Sequence, residues 1–150
     1  SFAGTHMGQA FTGVARAGFE MALQYCHERK QGGRTLIDHQ LTRYRLGDML
    51  RRVELCRSVA RRSLAYARLS PLTHPYVTAA GKVTVTQEAM KVVDEAFQLF
   101  GGAGMSREYP IEKLYRDARV ALIEDGENTI LTMRLGVLAQ QLYAEGWSQS

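Results

Sequence analysis

Apolar side chains recur at intervals of three and four along most of the chain, the spacing of one face of a helix. From Phe11 to Arg29 that face carries Val14, Ala15, Phe19, Ala22, Leu23 and Cys26. Gly32-Gly33 is expected to close this helix in the left-handed conformation, with Arg29 and Lys30 in its last turn against the negative end of the helix dipole. A second, longer helix is predicted from about His39 to Leu69, where Leu46, Met49, Val53, Cys56, Ala60, Leu64 and Ala67 form a stripe, with Pro71 and Pro75 marking its stop. A third is predicted from Tyr76 to Phe100 on Tyr76, Ala79, Val83, Met90, Val93, Phe97 and Phe100. Lys82-Val83-Thr84-Val85-Thr86 alternates like a strand, but a lone strand would find no partner elsewhere, so the helical period prevails.

Gly101-Gly102-Ala103-Gly104 interrupts the pattern, and Tyr109-Pro110 opens a short helix to about Val120, since proline suits a first helical turn. Glu112 with Arg116 and Lys113 with Asp117 are four apart and pair across one turn. A last helix is predicted from near Glu127, turning Ile130, Leu131, Leu135, Leu138 and Leu142 inward, with a frayed tail from Glu145. Together these elements predict an all-α fold: one antiparallel four-helix bundle with a short extra helix before the last helix. Residues 1–150 form a single domain in this reading, with residues 1–7 set aside as a tag or cut boundary because Thr5-His6-Met7 looks like a vector scar.

Composition narrows the class. A chain of 150 residues can bury about 70% of its unfolded surface, so it needs neither disulfides nor a structural metal. Cys26 and Cys56 have no CxxC spacing and no histidine in a zinc pattern. They read as reduced, buried thiols of a cytoplasmic protein, with no metal site. No run approaches the roughly 18–20 apolar residues of a membrane span. Lys+Arg 19 against Asp+Glu 15 leaves a mild net charge of +4, which suits an anionic partner without choosing one. Arg43, Arg45, Arg51, Arg52, Arg57, Arg61, Arg62 and Arg68 make the second helix basic, a solvated or subunit-facing surface. Basic patches interleaved with aromatics and helix-turn-helix spacing are both absent from the sequence, so nucleic acid is not an expected partner.

The informative positions are the breaks between helices, where backbone donors are free and side chains converge. The first is Glu28 to Gly33 followed by His39-Gln40, the second is Gln98 to Gly104, and the third is Ile123 to Asn128. Gln98 to Gly102, followed by Glu108-Tyr109-Pro110-Ile111-Glu112-Lys113-Leu114-Tyr115-Arg116-Asp117-Ala118, resembles the signature run of the acyl-CoA dehydrogenase family. The Glu28-Arg29 and His39-Gln40 elements lie at that family's distance from it. The resemblance extends from about Phe11 to Leu142 and is to the family's C-terminal helical domain, without its N-terminal helical and middle β-domains.

The resemblance implies a flavoenzyme that removes an α-proton and a β-hydride from an acyl-CoA thioester, giving the trans-2-enoyl thioester and reduced FAD. It implies a homo-oligomer, dimer or tetramer, built through the bundle, with half of each flavin site contributed across a subunit interface and an electron-transfer protein as a further partner. Arg29, Lys30 and Gln31 fall where the family contacts the FAD pyrophosphate, and His39 and Gln40 at another flavin-binding pair. Gln98 and the Gly101-Gly102 backbone fall where the neighbouring subunit's adenosine is held. An arginine fork and glycine N–H groups suit phosphate oxygens.

Asp125 takes the place of the family's catalytic glutamate, one methylene shorter, with Gly126 at the substrate and Glu127 and Thr129 where the family's Thr and Gln reach the flavin. A reacting group misplaced by about 1 Å can cost about 100-fold in rate. Residues 1–19 contain no Asp or Glu that could serve as a base from the first helix. The 150 residues alone are expected to be inactive, because the middle domain supplies the other flavin wall. Read without the resemblance, Gly101-Gly102 is a helix C-cap, Arg29 a solvated charge, His39 a helix-start residue and Asp125 the N-cap of the last helix. Two other readings stay open: an acyl-CoA oxidase or flavin monooxygenase on the same scaffold, and a non-catalytic oligomerisation or partner-subunit module that binds no flavin.

Overall fold

A computed structural model of the chain describes residues 2–69 and 75–146. Its helices are α1 (Phe2–Glu28), α2 (Gln40–Leu69), α3 (Pro75–Phe100), α4 (Ile111–Val120) and α5 (Asn128–Glu145). α3 lies at the centre, packed along α1 and α2, and α4 and α5 rest chiefly on it. Its buried face explains this, because Val85, Ala89, Val92, Val93 and Ala96 are small enough to let neighbouring helices approach closely. On α1, a Cβ at Gly18 would stand 3.2 Å from Val93 Cγ2. On α3, a Cβ at Gly81 would stand 2.0 Å from Ser63 Oγ, so only glycine fits where α3 crosses α2. The predicted α2 stripe is the buried one at Leu46, Met49, Val53, Cys56, Ala60 and Ala67, but Leu64 is only half-buried and Ser63 takes the buried position beside it, where α3 crosses closely at Gly81. Lys82 to Thr86 is helical, as the longer period predicts.

Several boundaries differ from the periodicity. α1 starts nine residues before Phe11 and includes residues 2–7 without a break, with Thr5 buried and Gly8 within reach of the Ala60 methyl on α2. The buried positions there are small or polar and only Met7 adds a large apolar contact to the core, too little to mark a period. α1 also ends at Glu28, so Gly32-Gly33 is not its cap. Instead β1 (Lys30–Gln31) pairs antiparallel with β2 (Arg34–Thr35). Gly32 (φ 63°) and Gly33 (φ 78°) form the turn, and two consecutive positive φ angles are what a two-residue hairpin loop demands. Pro75 opens α3 rather than stopping α2. Pro71 and the tail beyond Gly146 lie outside the described residues.

The arginines of α2 are partly neutralised from α3. Arg52 bridges Asp48 of its own helix and Glu88 of α3, and Arg45 lies 3.7 Å from Glu95. On α4 the expected pairs form, Lys113 to Asp117 at 2.5 Å and Arg116 to Glu112 at 3.2 Å, both on the surface, where such pairs add about 0.3–0.5 kcal/mol.

α5 corrects one expectation. Leu131, Leu135, Leu138 and Leu142 form a half-buried stripe, but Ile130 is 48% exposed. It sits one helical step, about 100°, away from that stripe. There it joins Met133 (66%) and Val137 (55%) in a second apolar line that no part of the described chain covers.

Candidate functional site

The α1–α2 connection is a small built device. The Arg29 N–H still donates to the Tyr25 carbonyl at 2.8 Å, while the Arg29 carbonyl accepts from Leu36 N–H at 2.8 Å, closing the base of the hairpin. A 3₁₀ turn over Leu36–Asp38 delivers His39, whose carbonyl accepts the first bond of α2 from Arg43 N–H at 3.2 Å. His39 Nε2–H donates to the Gln31 carbonyl at 2.9 Å, and its ring packs under Gly32. His39 is thus a helix-start residue and a brace for the hairpin at once.

Facing the hairpin is the second break. Gly101 follows α3 directly with φ 57°, the left-handed residue of a helix C-cap, and a 3₁₀ turn continues to Met105. A Cβ at Gly101 or Gly102 would meet no atom within 4 Å, so both glycines leave their backbone open. Tyr25 stacks on Phe100 at 4.3 Å and Tyr109 closes edge-on against Tyr25 at 5.5 Å, a rigid aromatic floor.

Between hairpin, α2 and this cap lies a cleft of about 840 Å³. It gathers Arg29, Gln31, Gly32 and His39 from one side and Gln98, Gly101 and Gly102 from the other. Tyr25, not singled out from sequence, and Arg45, read there only as part of the basic face of the second helix, also line it. Lys30 and Gln40 are exposed next to the cleft without lining it, Lys30 because the strand alternates its side chains and Gln40 because it sits on the outer side of the first turn of α2.

The third break stands apart from this cleft. Asp125 (φ 54°) and Gly126 (φ 97°) make a left-handed turn between α4 and α5. Asp125 is the one described non-glycine residue with positive φ, a conformation that costs an L-residue about 1–2 kcal/mol. Its carboxylate is exposed and is not the N-cap of α5. Glu127 is, accepting from Thr129 N–H at 2.9 Å and Ile130 N–H at 3.2 Å, because it directly precedes Asn128, where α5 begins, whereas Asp125 lies two residues further back. The Thr129 hydroxyl also donates to Glu127 at 3.0 Å, so both side chains are engaged with one another. The two N–H groups at the helix start hold the Glu127 carboxyl below its usual range.

Underneath the turn is a group that periodicity did not single out. Lys82 is 1% exposed and its ammonium donates to the carbonyls of Ala121 (2.9 Å) and Gly126 (2.8 Å) and to Asn128 Oδ1 (2.8 Å). Burial pulls its pKa down, while Asp125, Glu124 and Glu127 pull it up. The available signal was a lone cation inside the apolar stretch Val77 to Val85. Among the described residues, no three His, Cys, Asp or Glu side chains are grouped to hold a metal ion.

The family model for "Acyl-CoA dehydrogenase, C-terminal domain" matches residues 5–139, and the chain belongs to the acyl-CoA dehydrogenase family through that domain. A probable acyl-CoA dehydrogenase of Mycobacterium tuberculosis is 33% identical over 124 residues, 83% of this chain and 32% of that protein. A short-chain-specific acyl-CoA dehydrogenase of Clostridium acetobutylicum is 34% identical over 118 residues, 79% of this chain and 31% of that protein. The structure of butyryl-CoA dehydrogenase from Megasphaera elsdenii superposes with a TM-score of 0.85 at 29% identity, over 91% of this chain and 36% of that one. The chain therefore spans about a third of the length of these relatives.

Proposed function

We propose that these residues are the C-terminal helical part of an FAD-dependent acyl-CoA dehydrogenase, which forms trans-2-enoyl-CoA from an acyl-CoA thioester. One observation carries the reading: a single open cleft gathers Arg29, Gln31, His39, Gln98 and the bare Gly101-Gly102 backbone. Those groups fit a dinucleotide. A guanidinium fork matches pyrophosphate oxygens, open glycines admit a phosphate or ribose without a Cβ in the way, and the volume lies in the range of cofactor sites. When bound, FAD supplies the two-electron acceptor for the β-hydride.

The remaining work falls to the chain. Arg29, with Lys30 and Gln31 behind it, holds the pyrophosphate; His39 and Gln40 contact the flavin, His39 also bracing the hairpin; Gln98, Gly101 and Gly102 hold the neighbouring subunit's adenosine. The Asp125 carboxylate takes the α-proton, and the electron pair of that C–H bond becomes the new C=C bond as hydride leaves the β-carbon. The Asp125 N–H polarises the thioester carbonyl and Gly126 leaves room for the acyl chain. Because Asp125, Gly126, Glu127 and Thr129 do not line the cleft, the reading assigns the two clusters to different flavins in a homo-oligomer. The uncovered line Ile130, Met133 and Val137 supports such an assembly. No helix among the described residues is long and apolar enough to cross a membrane; a cytoplasmic location and an electron-transfer partner belong to the same proposal.

The test is anaerobic bleaching of the flavin spectrum by acyl-CoA in the flavin-loaded full-length enzyme that carries these residues. Asp125→Asn should abolish bleaching with FAD retained, and Arg29→Ala should weaken FAD binding. FAD binding indifferent to Arg29 and Gln98, or bleaching indifferent to Asp125, would refute it. The mutual engagement of Glu127 and Thr129 favours one second reading, a module that keeps the subunit contacts and binds no flavin. A flat FAD titration would select it. Oxygen consumption without an added acceptor would select the oxidase or monooxygenase.

A further inference from the structure

Lys82 spends a full set of ammonium donors on one turn. Its acceptors are Ala121 O, Gly126 O and Asn128 Oδ1, all within 2.9 Å, and none of them is a carboxylate. Asn128 is itself buried, and its Nδ2 donates to Thr86 Oγ1 at 2.9 Å. The Thr86 hydroxyl in turn lies 2.9 Å from the Lys82 carbonyl, so the network returns to α3 one turn beyond where it left. Asn128 N–H donates to Leu122 O at 3.0 Å and closes the loop from within.

Burying an ammonium against neutral acceptors is an expensive way to fill space, and an apolar side chain of similar length would stabilise the packing more cheaply. What an apolar side chain cannot do is grip backbone carbonyls on both sides of Asp125. Ala121 lies four residues before it and Gly126 one residue after, while the backbone between them carries the left-handed φ of 54°. Such conformations persist only where surrounding contacts over-determine them, and they concentrate at functional sites.

We propose that Lys82 is a positioning residue for Asp125: its buried ammonium pins the Ala121–Asn128 turn and so presents the Asp125 carboxylate in one fixed left-handed orientation. This rests on the reading of Asp125 as the base. Burial lowers the Lys82 pKa on balance, and the negative charges of Asp125, Glu124 and Glu127 oppose that and favour its protonated, three-donor form.

The experiment is NMR on this chain and on Lys82→Met, with Lys82→Gln as the variant that keeps a polar head should Lys82→Met fail to fold. A strong intraresidue HN–Hα cross-peak at Asp125 reports its positive φ, and amide exchange at Asn128 reports the turn. Either folded variant should lose the cross-peak and exchange Asn128 at least about tenfold faster, with Ala89–Ala96 amides unchanged. A retained cross-peak with unchanged exchange in a folded variant would overturn the assignment. In the flavin-loaded full-length enzyme that carries these residues, Lys82→Met should lower kcat about tenfold or more with KM nearly unchanged, the pattern of a misaligned base. Equal losses in kcat and in fold stability without loop release would mark a merely structural lysine. A full-length enzyme carrying these residues that acyl-CoA fails to bleach would sink the dehydrogenase reading while leaving the NMR result on Lys82 intact.

Discussion

His39 Nε2 and the Gln31 carbonyl lie 2.9 Å apart, so the first residue before α2 holds the hairpin that walls one side of the cleft. His39→Ala removes that brace and opens space under Gly32. A net hydrogen bond is worth about 1 kcal/mol, so FAD affinity should fall about fivefold, with little change in the unfolding midpoint. Titration of flavin fluorescence checks this. An unchanged affinity would mean the hairpin is held by its backbone ladder alone.

Ser63 and Gly81 define the tightest helix crossing. Gly81→Ala places a methyl 2.0 Å from Ser63 Oγ and should destabilise the fold by about 1–3 kcal/mol in urea unfolding. Ser63→Gly in the same chain should recover much of that loss. Additive losses in the double variant would show that the helices shift apart instead.

The cap of α5 is a carboxylate. Glu127→Ala should speed amide exchange at Thr129 and Ile130 and lower the urea midpoint slightly. Because the folded carboxyl titrates below its unfolded value of 4.5, its contribution is complete above that pH. It is lost as pH falls through the lower folded value, so the difference between parent and Glu127→Ala should vanish in acid.

Cys56 is buried beside the Val85 carbonyl, and burial, helped by Glu88, pushes its thiol up to about 12 from 9.0. Cys26 shifts the same way through burial. The unfolded thiols ionise first, so both favour folding fully below pH 9.0 and progressively less above it, the Cys56 contribution until pH reaches about 12. Alkylation of the native protein at pH 8 should be slow and limited by opening. Cys26→Ala/Cys56→Ala should flatten the alkaline fall in stability. Rapid labelling of both thiols without unfolding would contradict the burial.

The α2 stripe was legible because Leu46, Met49, Val53, Cys56 and Ala60 are large or apolar enough to show the helical period. The first nine residues of α1 were not, since the buried positions there are Thr5 and Gly8 and only Met7 adds a large apolar contact, too little to show a period. Gly32-Gly33 signals a left-handed turn in either a helix cap or a hairpin. Only the pairing of Lys30 with Thr35 distinguishes them. Glu127 rather than Asp125 caps α5 for the same kind of reason: a sequence names several carboxylates near a helix start, and backbone geometry selects the one whose oxygens reach two free N–H groups.

Local period and glycine placement are properties of neighbouring residues, so the sequence by itself determined five helices, their order, the breaks and the signature runs at those breaks. Which breaks meet is a long-range matter. Tertiary packing brought Gln31 and His39 opposite Gln98 and Gly101, left Asp125 on a separate turn, and buried Lys82 beneath it. Those outcomes depend on how closely small side chains let α1, α2 and α3 approach, which no periodicity records.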